Sequence, residues 1–104
     1  MNQMLNQPSD FRILVADGEA ENRLRLRCVL EREGYIVAEA GSGEEVLAQY
    51  PIFKPQLILL EAILPGLNGY EVCAELKKEI ESGKTMVIMI SILEDDKSIE
   101  LAFA

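Results

Sequence analysis

The sequence predicts an α/β fold built on a parallel sheet. Three observations carry that prediction. Four short apolar runs of strand length are separated by segments with helical spacing. Their order is strand, helix, strand, helix, strand, helix, strand, which suits right-handed crossovers. The third run, QLILL at 56–60, is apolar without interruption, as expected for a strand covered on both faces.

The first strand is expected over Phe11–Ala16, FRILVA, ending at Asp17-Gly18. A helix pattern follows over 21–33, with Leu24, Leu26, Cys28, Val29 and Leu30 as a broad apolar face and Gly34 as its stop. YIVAEA at 35–40 reads as the second strand. Ser42 and Glu45 have capping-box spacing for a helix to about Tyr50, and Pro51 and Pro55 bracket a loop. After the third strand, Pro65-Gly66 and Asn68-Gly69 signal turns. A helix is expected over 70–81, with Val72, Cys73, Leu76 and Ile80 inward, then a fourth strand over 86–90 followed by Ser91. Asp96 or Ser98 is expected to start one more helix, with Ile99, Leu101, Ala102 and Phe103 inward. On that reading the fourth strand is an open edge.

The chain of 104 residues suffices for one core, with residues 1–10 as a flexible leader and 11–104 as the domain. Eighteen acidic against ten basic residues give a net charge of −8, which disfavours direct nucleic-acid binding. Arg23, Arg25 and Arg27 read as a solvated helix face. Histidine is absent, which removes imidazole bases and histidine metal ligands. Cys28 and Cys73 read as core filling. Residues 1–10 hold no signal-peptide pattern and no run is long enough for a membrane span, so a cytoplasmic setting is expected.

Ligands of open parallel sheets bind beyond the carboxyl ends of the strands. Asp17, Glu19, Glu61 and Ser91 all fall there. Clustered carboxylates suit a hard cation such as Mg2+, although acidic residues at such places also serve as helix caps.

With these residues in view, the chain resembles the receiver domain of bacterial two-component response regulators. The resemblance rests on ILVADGE, EGYIVAEAGSGEEVLA, LILLEAILPGLNGYEVCAELK and VIMIS, and spans 12–104. It implies a doubly wound, flavodoxin-like sheet of order 2-1-3-4-5, whose fifth strand and helix are expected to be absent from this chain. It also implies phosphoryl transfer to an aspartate with Mg2+, and relay to a protein partner or attached output domain. The family's phosphoacceptor position holds Glu61. Its first acidic residue is Asp17, the second is replaced by Gly18, and Glu19 is an acidic neighbour. Ser91 matches the switch residue, and Pro65, Gly66 and Gly69 match the turn. The family's lysine has no counterpart, Lys97 being in the wrong segment.

Asp17, Glu19 and Glu61 are therefore the expected ligands of a weak or absent Mg2+ site. Glutamate is one methylene longer than aspartate, roughly 1.5 Å, so ordinary phosphorylation is expected to be weak or lost. The implied function is a phosphorylation-independent receiver and not an enzyme. Partial mimicry of the phosphorylated state by Glu61, with Ser91 drawn toward it, is one consequence. The alternatives are a receiver that is still phosphorylated and an interaction module with no switch. Expected partners are an output domain or another protein, a histidine kinase, or a second copy through the exposed edge or the C-terminal helix, with no membrane.

Overall fold

The computed structural model describes residues 10–79, 84–93 and 98–103. The chain runs β1 (Arg12–Ala16), α1 (Ala20–Arg32), β2 (Ile36–Ala40), α2 (Gly43–Phe53), β3 (Leu57–Glu61), α3 (Gly69–Lys77), β4 (Met86–Leu93) and β5 (Ser98–Phe103). The sheet order is β2-β1-β3-β4-β5. The first four strands are parallel, with Leu14 opposite Ala38 and Ile58, and Leu60 opposite Met89.

The strands are parallel for a chain-length reason. Each connection among β1, β2, β3 and β4 carries a helix, and a helical crossover returns the chain in the same direction. Strand residues alternate between two apolar layers. One layer holds Leu14, Ala16, Ile58, Leu60, Val87 and Met89 against Val46 of α2 and Val72, Cys73 and Leu76 of α3. The other holds Ile13, Val15 and Val37 against Leu26 and Leu30 of α1. Burying a large aliphatic side chain stabilises the fold by about 1.5–3 kcal/mol, and Leu14, Ile58 and Leu60 are fully buried.

The end of the chain departs from expectation. The segment expected as an inward-facing helix is β5, antiparallel to β4, with Ile90 opposite Leu101 and Ser91 opposite Glu100. Four residues separate Leu93 from Ser98, and parallel pairing needs a crossover of roughly a dozen. Antiparallel return is therefore the available geometry, and β-branched or large residues alternate along SIELAF. Pairing with β5 also supplies β4 with the neighbour expected to be missing, so β4 is not an open edge. The sheet thus has a fifth strand, but an antiparallel one, distinct from the parallel strand that the resemblance implies. Residues 1–9, Ile80, Asp96 and Lys97 lie outside the described residues.

Helix α1 also differs from its sequence pattern. Leu24 and Val29 are 56% and 54% exposed, and Cys28 is exposed. The inward stripe is Arg23, Leu26, Arg27 and Leu30, an i, i+3, i+4, i+7 set. At 3.6 residues per turn, Leu24 and Cys28 fall on nearly the opposite side from Leu26. Two arginines, Arg23 and the more exposed Arg27, take part in this stripe because both reach Glu39 of β2. Arg23 Nε donates to Glu39 Oε1 at 3.0 Å, and Arg27 Nη1 donates to Glu39 Oε2 at 3.1 Å. Burial pushes the Glu39 carboxyl up, but bonds from Arg27 and Arg23 outweigh it and hold the group below its ordinary value. The arginines expected on a solvated face thus tie α1 to β2. Cys73, by contrast, is buried as expected.

Helix α2 continues through Pro51 to Phe53. Pro51 removes one helical donor, but only in the final turn. Lys54 then adopts a left-handed conformation with φ 51°, and its N–H donates to Tyr50 O at 2.9 Å. Arg12 Nε closes the same end by donating to the Phe53 and Lys54 carbonyls at 2.9 Å each. At the start of α2, Ser42 Oγ accepts from Glu45 N–H as expected, but Glu45 returns its bond to Gly41 N–H instead of Ser42. The full capping box belongs to α3, where Asn68 and Glu71 bond reciprocally.

Replacing Glu39 by Ala is expected to destabilise the chain by about 1–2 kcal/mol in urea denaturation, because both arginine bonds go together. The Glu39 carboxyl titrates low when folded, so its contribution is present above the ordinary carboxylate range and is lost as pH falls through it. Gly69→Ala is expected to cost about 1–3 kcal/mol by the same measurement, since a Cβ there would lie 2.6 Å from Glu61 O and 2.8 Å from Ala62 Cα.

Candidate functional site at the carboxyl edge of the sheet

The parallel register carries Asp17 and Glu61 to one edge. Ala16 lies opposite Leu60, so the residue after each strand position meets its counterpart at the same height. Asp17 is 8% exposed and is the buried charged side chain among the described residues. Its N–H donates to Ala40 O at 3.1 Å, which fixes the end of β1 to β2. Its carboxylate accepts from Glu19 N–H at 2.8 Å, a local bond that turns the chain into α1. Arg23 Nη1 donates to the Asp17 carbonyl at 2.7 Å.

Glu61 is half-buried at the end of β3. Its Oε1 accepts from Gly18 N–H at 3.2 Å. Its carboxyl also faces that of Asp17 within hydrogen-bonding reach. Burial pushes the Glu61 pKa up to about 7, aided by the bond to Asp17 and by the charges of Asp17 and Glu19, while the Gly18 N–H pulls it down. Protonation of Glu61 relieves this like-charge contact.

The other expected residues are placed less directly. Glu19 precedes the first turn of α1, and its side chain accepts from Asn22 Nδ2 at 3.1 Å. Ser91 is half-buried in β4, one residue beyond Ile90, the partner of Glu61 in the register. No hydrogen bond joins Ser91 to Glu61 among the described residues, so the expected drawing of Ser91 toward Glu61 is not observed. Pro65 forms the wall beside Gly18, where a Cβ on Gly18 would lie 3.0 Å from Pro65 Cδ. Gly66 has φ +74°, which favours glycine, and the Glu44 carboxylate lies against it. Pro65 O accepts from Gly43 N–H at 3.3 Å, so the turn also rests on the start of α2.

Two participants escaped the sequence reading. Arg23 holds the Asp17 carbonyl, and Asn22 draws Glu19 toward the helix. The spacing Glu19-x-x-Asn22 was an available signal for the second. Nothing local signalled the first, since Arg23 meets Asp17 only once α1 is docked.

Mg2+ is held by one or two carboxylates and keeps several waters, and Asp17 and Glu61 are the two carboxyls that would share such an ion here. Glu19 engages Asn22, and Gly18 offers no side-chain donor. Among the described residues, no group of three His, Cys, Asp or Glu is arranged to hold a metal. A groove of about 640 Å³ lies at the opposite end of the strands, lined by Arg12, Tyr50, Lys54, Gln56, Glu79 and Thr85 among others. It does not reach the carboxylates.

The family model for the response regulator receiver domain matches residues 13–104. This chain belongs to the response regulator receiver family. Receiver domains are modules of two-component signalling. The transcriptional regulatory protein ResD of Bacillus subtilis is 39% identical over 87 residues, covering 84% of this chain and 35% of that protein. The alkaline phosphatase synthesis transcriptional regulatory protein PhoP of the same organism is 44% identical over 68 residues, covering 65% of this chain and 28% of that protein. The chain thus spans about a third of the length of these curated relatives. The structure of response regulator TrrA from Thermotoga maritima, solved in complex with Mg2+-BeF, superposes with a TM-score of 0.73 at 32% identity. It covers 82% of this chain and 72% of that one. No helix among the described residues is long and apolar enough to cross a membrane.

The Glu61 carboxyl gives a pH prediction for this receiver. The folded chain holds the Glu61 proton to about pH 7, while the unfolded chain releases it near 4.5. Between these values the folded state binds more protons, so the Glu61 contribution to stability falls as pH rises. Glu61→Gln is expected to flatten that fall and to gain on the order of 1 kcal/mol above pH 7 after solvent screening. Urea denaturation across this range checks it.

Proposed function

We propose that this receiver acts in two-component signalling without phosphorylation at residue 61. The observation that carries the reading is the position of the Glu61 carboxyl, bonded to Gly18 N–H and facing Asp17, with residue 61 taken as the acceptor position by resemblance to the family. Phosphoryl transfer requires in-line geometry, and a displacement near 1 Å costs about a hundredfold in rate. The extra methylene of glutamate produces a displacement of that size. Gly18 contributes no carboxylate for a cation, and Pro65 Cδ lies 3.0 Å from where a Cβ on Gly18 would sit.

The signal would then pass through contacts with an output domain or a separate protein. The relatives ResD and PhoP are named as transcriptional regulatory proteins, which supports an attached output domain as one destination. A net charge of −8 argues against this domain touching nucleic acid itself. A sensor histidine kinase is a second partner, in a complex that does not depend on transfer. Phosphate mimicry by Glu61 has less support: one carboxyl carries less charge than a phosphoryl group, and this one faces Asp17 and Gly18 instead of Ser91.

Intact mass after incubation with Mg2+ and a small-molecule phosphodonor tests the reading. The unaltered chain is expected to stay unlabelled. Labelling that maps to residue 61 would overturn the proposal.

A further inference from the structure

We propose that Glu61 is a metal-free strut, its carboxyl tying the β1–α1 loop to the end of β3 through Gly18 N–H and Asp17, in the place where a bound cation would otherwise make that link. The proposal rests on the reading that residue 61 takes no phosphoryl group, because a modified carboxyl could not keep both contacts.

The backbone leaves this link to a side chain. The last β1–β3 register pair is Ala16 with Leu60. Beyond it the two chains diverge: Asp17 N–H turns to Ala40 of β2, and Ala62 N–H turns to Ile90 of β4. Among the described residues, the hydrogen bond that spans the gap from Gly18 to β3 is the one to Glu61 Oε1, at 3.2 Å. Pro65, in the chain after β3, lies beside Gly18.

Length makes glutamate suited to the role. An aspartate carboxyl would be roughly 1.5 Å shorter, too short to hold the Gly18 bond from the same backbone position. The missing side chain at Gly18 suits it too, because the Gly18 N–H is approached directly. Asp17 is held in place independently by Glu19 N–H and, through its carbonyl, by Arg23. The strut therefore meets a fixed anchor. Glu61 Oε1 is engaged by Gly18 N–H and Glu19 by Asn22, so each of these carboxylates already has a donor from the protein.

The test is amide hydrogen exchange at Gly18 in the full chain, in chelator and in millimolar Mg2+, for the unaltered protein, Glu61→Gln and Glu61→Asp. Glutamine keeps the length, accepts from Gly18 N–H and donates to Asp17. It is expected to match the unaltered chain. Aspartate is expected to exchange at least about tenfold faster in chelator, as loss of a protecting bond implies. Mg2+ is expected to leave exchange in the unaltered chain unchanged. Equal protection in the aspartate variant, loss of protection in the glutamine variant, or slowing of the unaltered chain by Mg2+ would each overturn the strut. The comparison of the unaltered chain with and without Mg2+ needs no variant, so misfolding of a variant does not remove the test. Phosphodonor labelling reports separately: an unlabelled chain whose strut fails leaves the functional reading standing, whereas labelling at residue 61 removes both.

Discussion

Parallel pairing of β1 with β3 is the constraint on which the carboxyl edge depends. Leu14 and Ile58 pair at the centre of the sheet, both fully buried. Helical crossovers give both strands the same direction, so their last residues emerge side by side. Asp17 and Glu61 are 44 positions apart in the chain and adjacent in space for that reason. Gly69 serves the same end, since the start of α3 comes close enough to Glu61 O that a Cβ would collide with it.

Bringing two carboxyls together in a partly buried place carries an electrostatic cost. Donors from the protein offset part of it. A backbone N–H is aimed at Glu61, another at Asp17, and the guanidinium of Arg23 sits on the Asp17 carbonyl. Burial first, and then the contact with Asp17, raises the affinity of Glu61 for a proton. Each of these groups comes from the loop after β1 or from the first turns of α1. The helix that reads from sequence as simply amphipathic thus also organises the site, through Arg23 inward and Asn22 on Glu19.

Family membership follows from the sheet, the helix order and the turn after β3, which are built by apolar alternation, caps and glycines. Glu61 and Gly18 lie at the strand ends, apart from the core packing of Leu14, Ile58 and Leu60. The identity of these two residues therefore bears on the chemistry of the edge and not on the fold.

The sequence by itself determined the α/β class, the four parallel strands and their helices, and the gathering of Asp17, Glu61 and Ser91 at one edge. These follow from local pattern: unbroken apolar runs, helical periodicity, and Gly, Pro or Asn at the junctions. Only the tertiary structure decided three matters. It placed Arg23 and Arg27 inward on Glu39, because an ion pair across two elements leaves no periodic mark in either. It made residues 98–103 a strand, because a short connection to β4 and a free strand edge outweigh a helical apolar spacing that is compatible with both. It turned Glu61 toward Asp17 and Gly18, because the direction of a carboxyl is set by donors that arrive from another part of the chain.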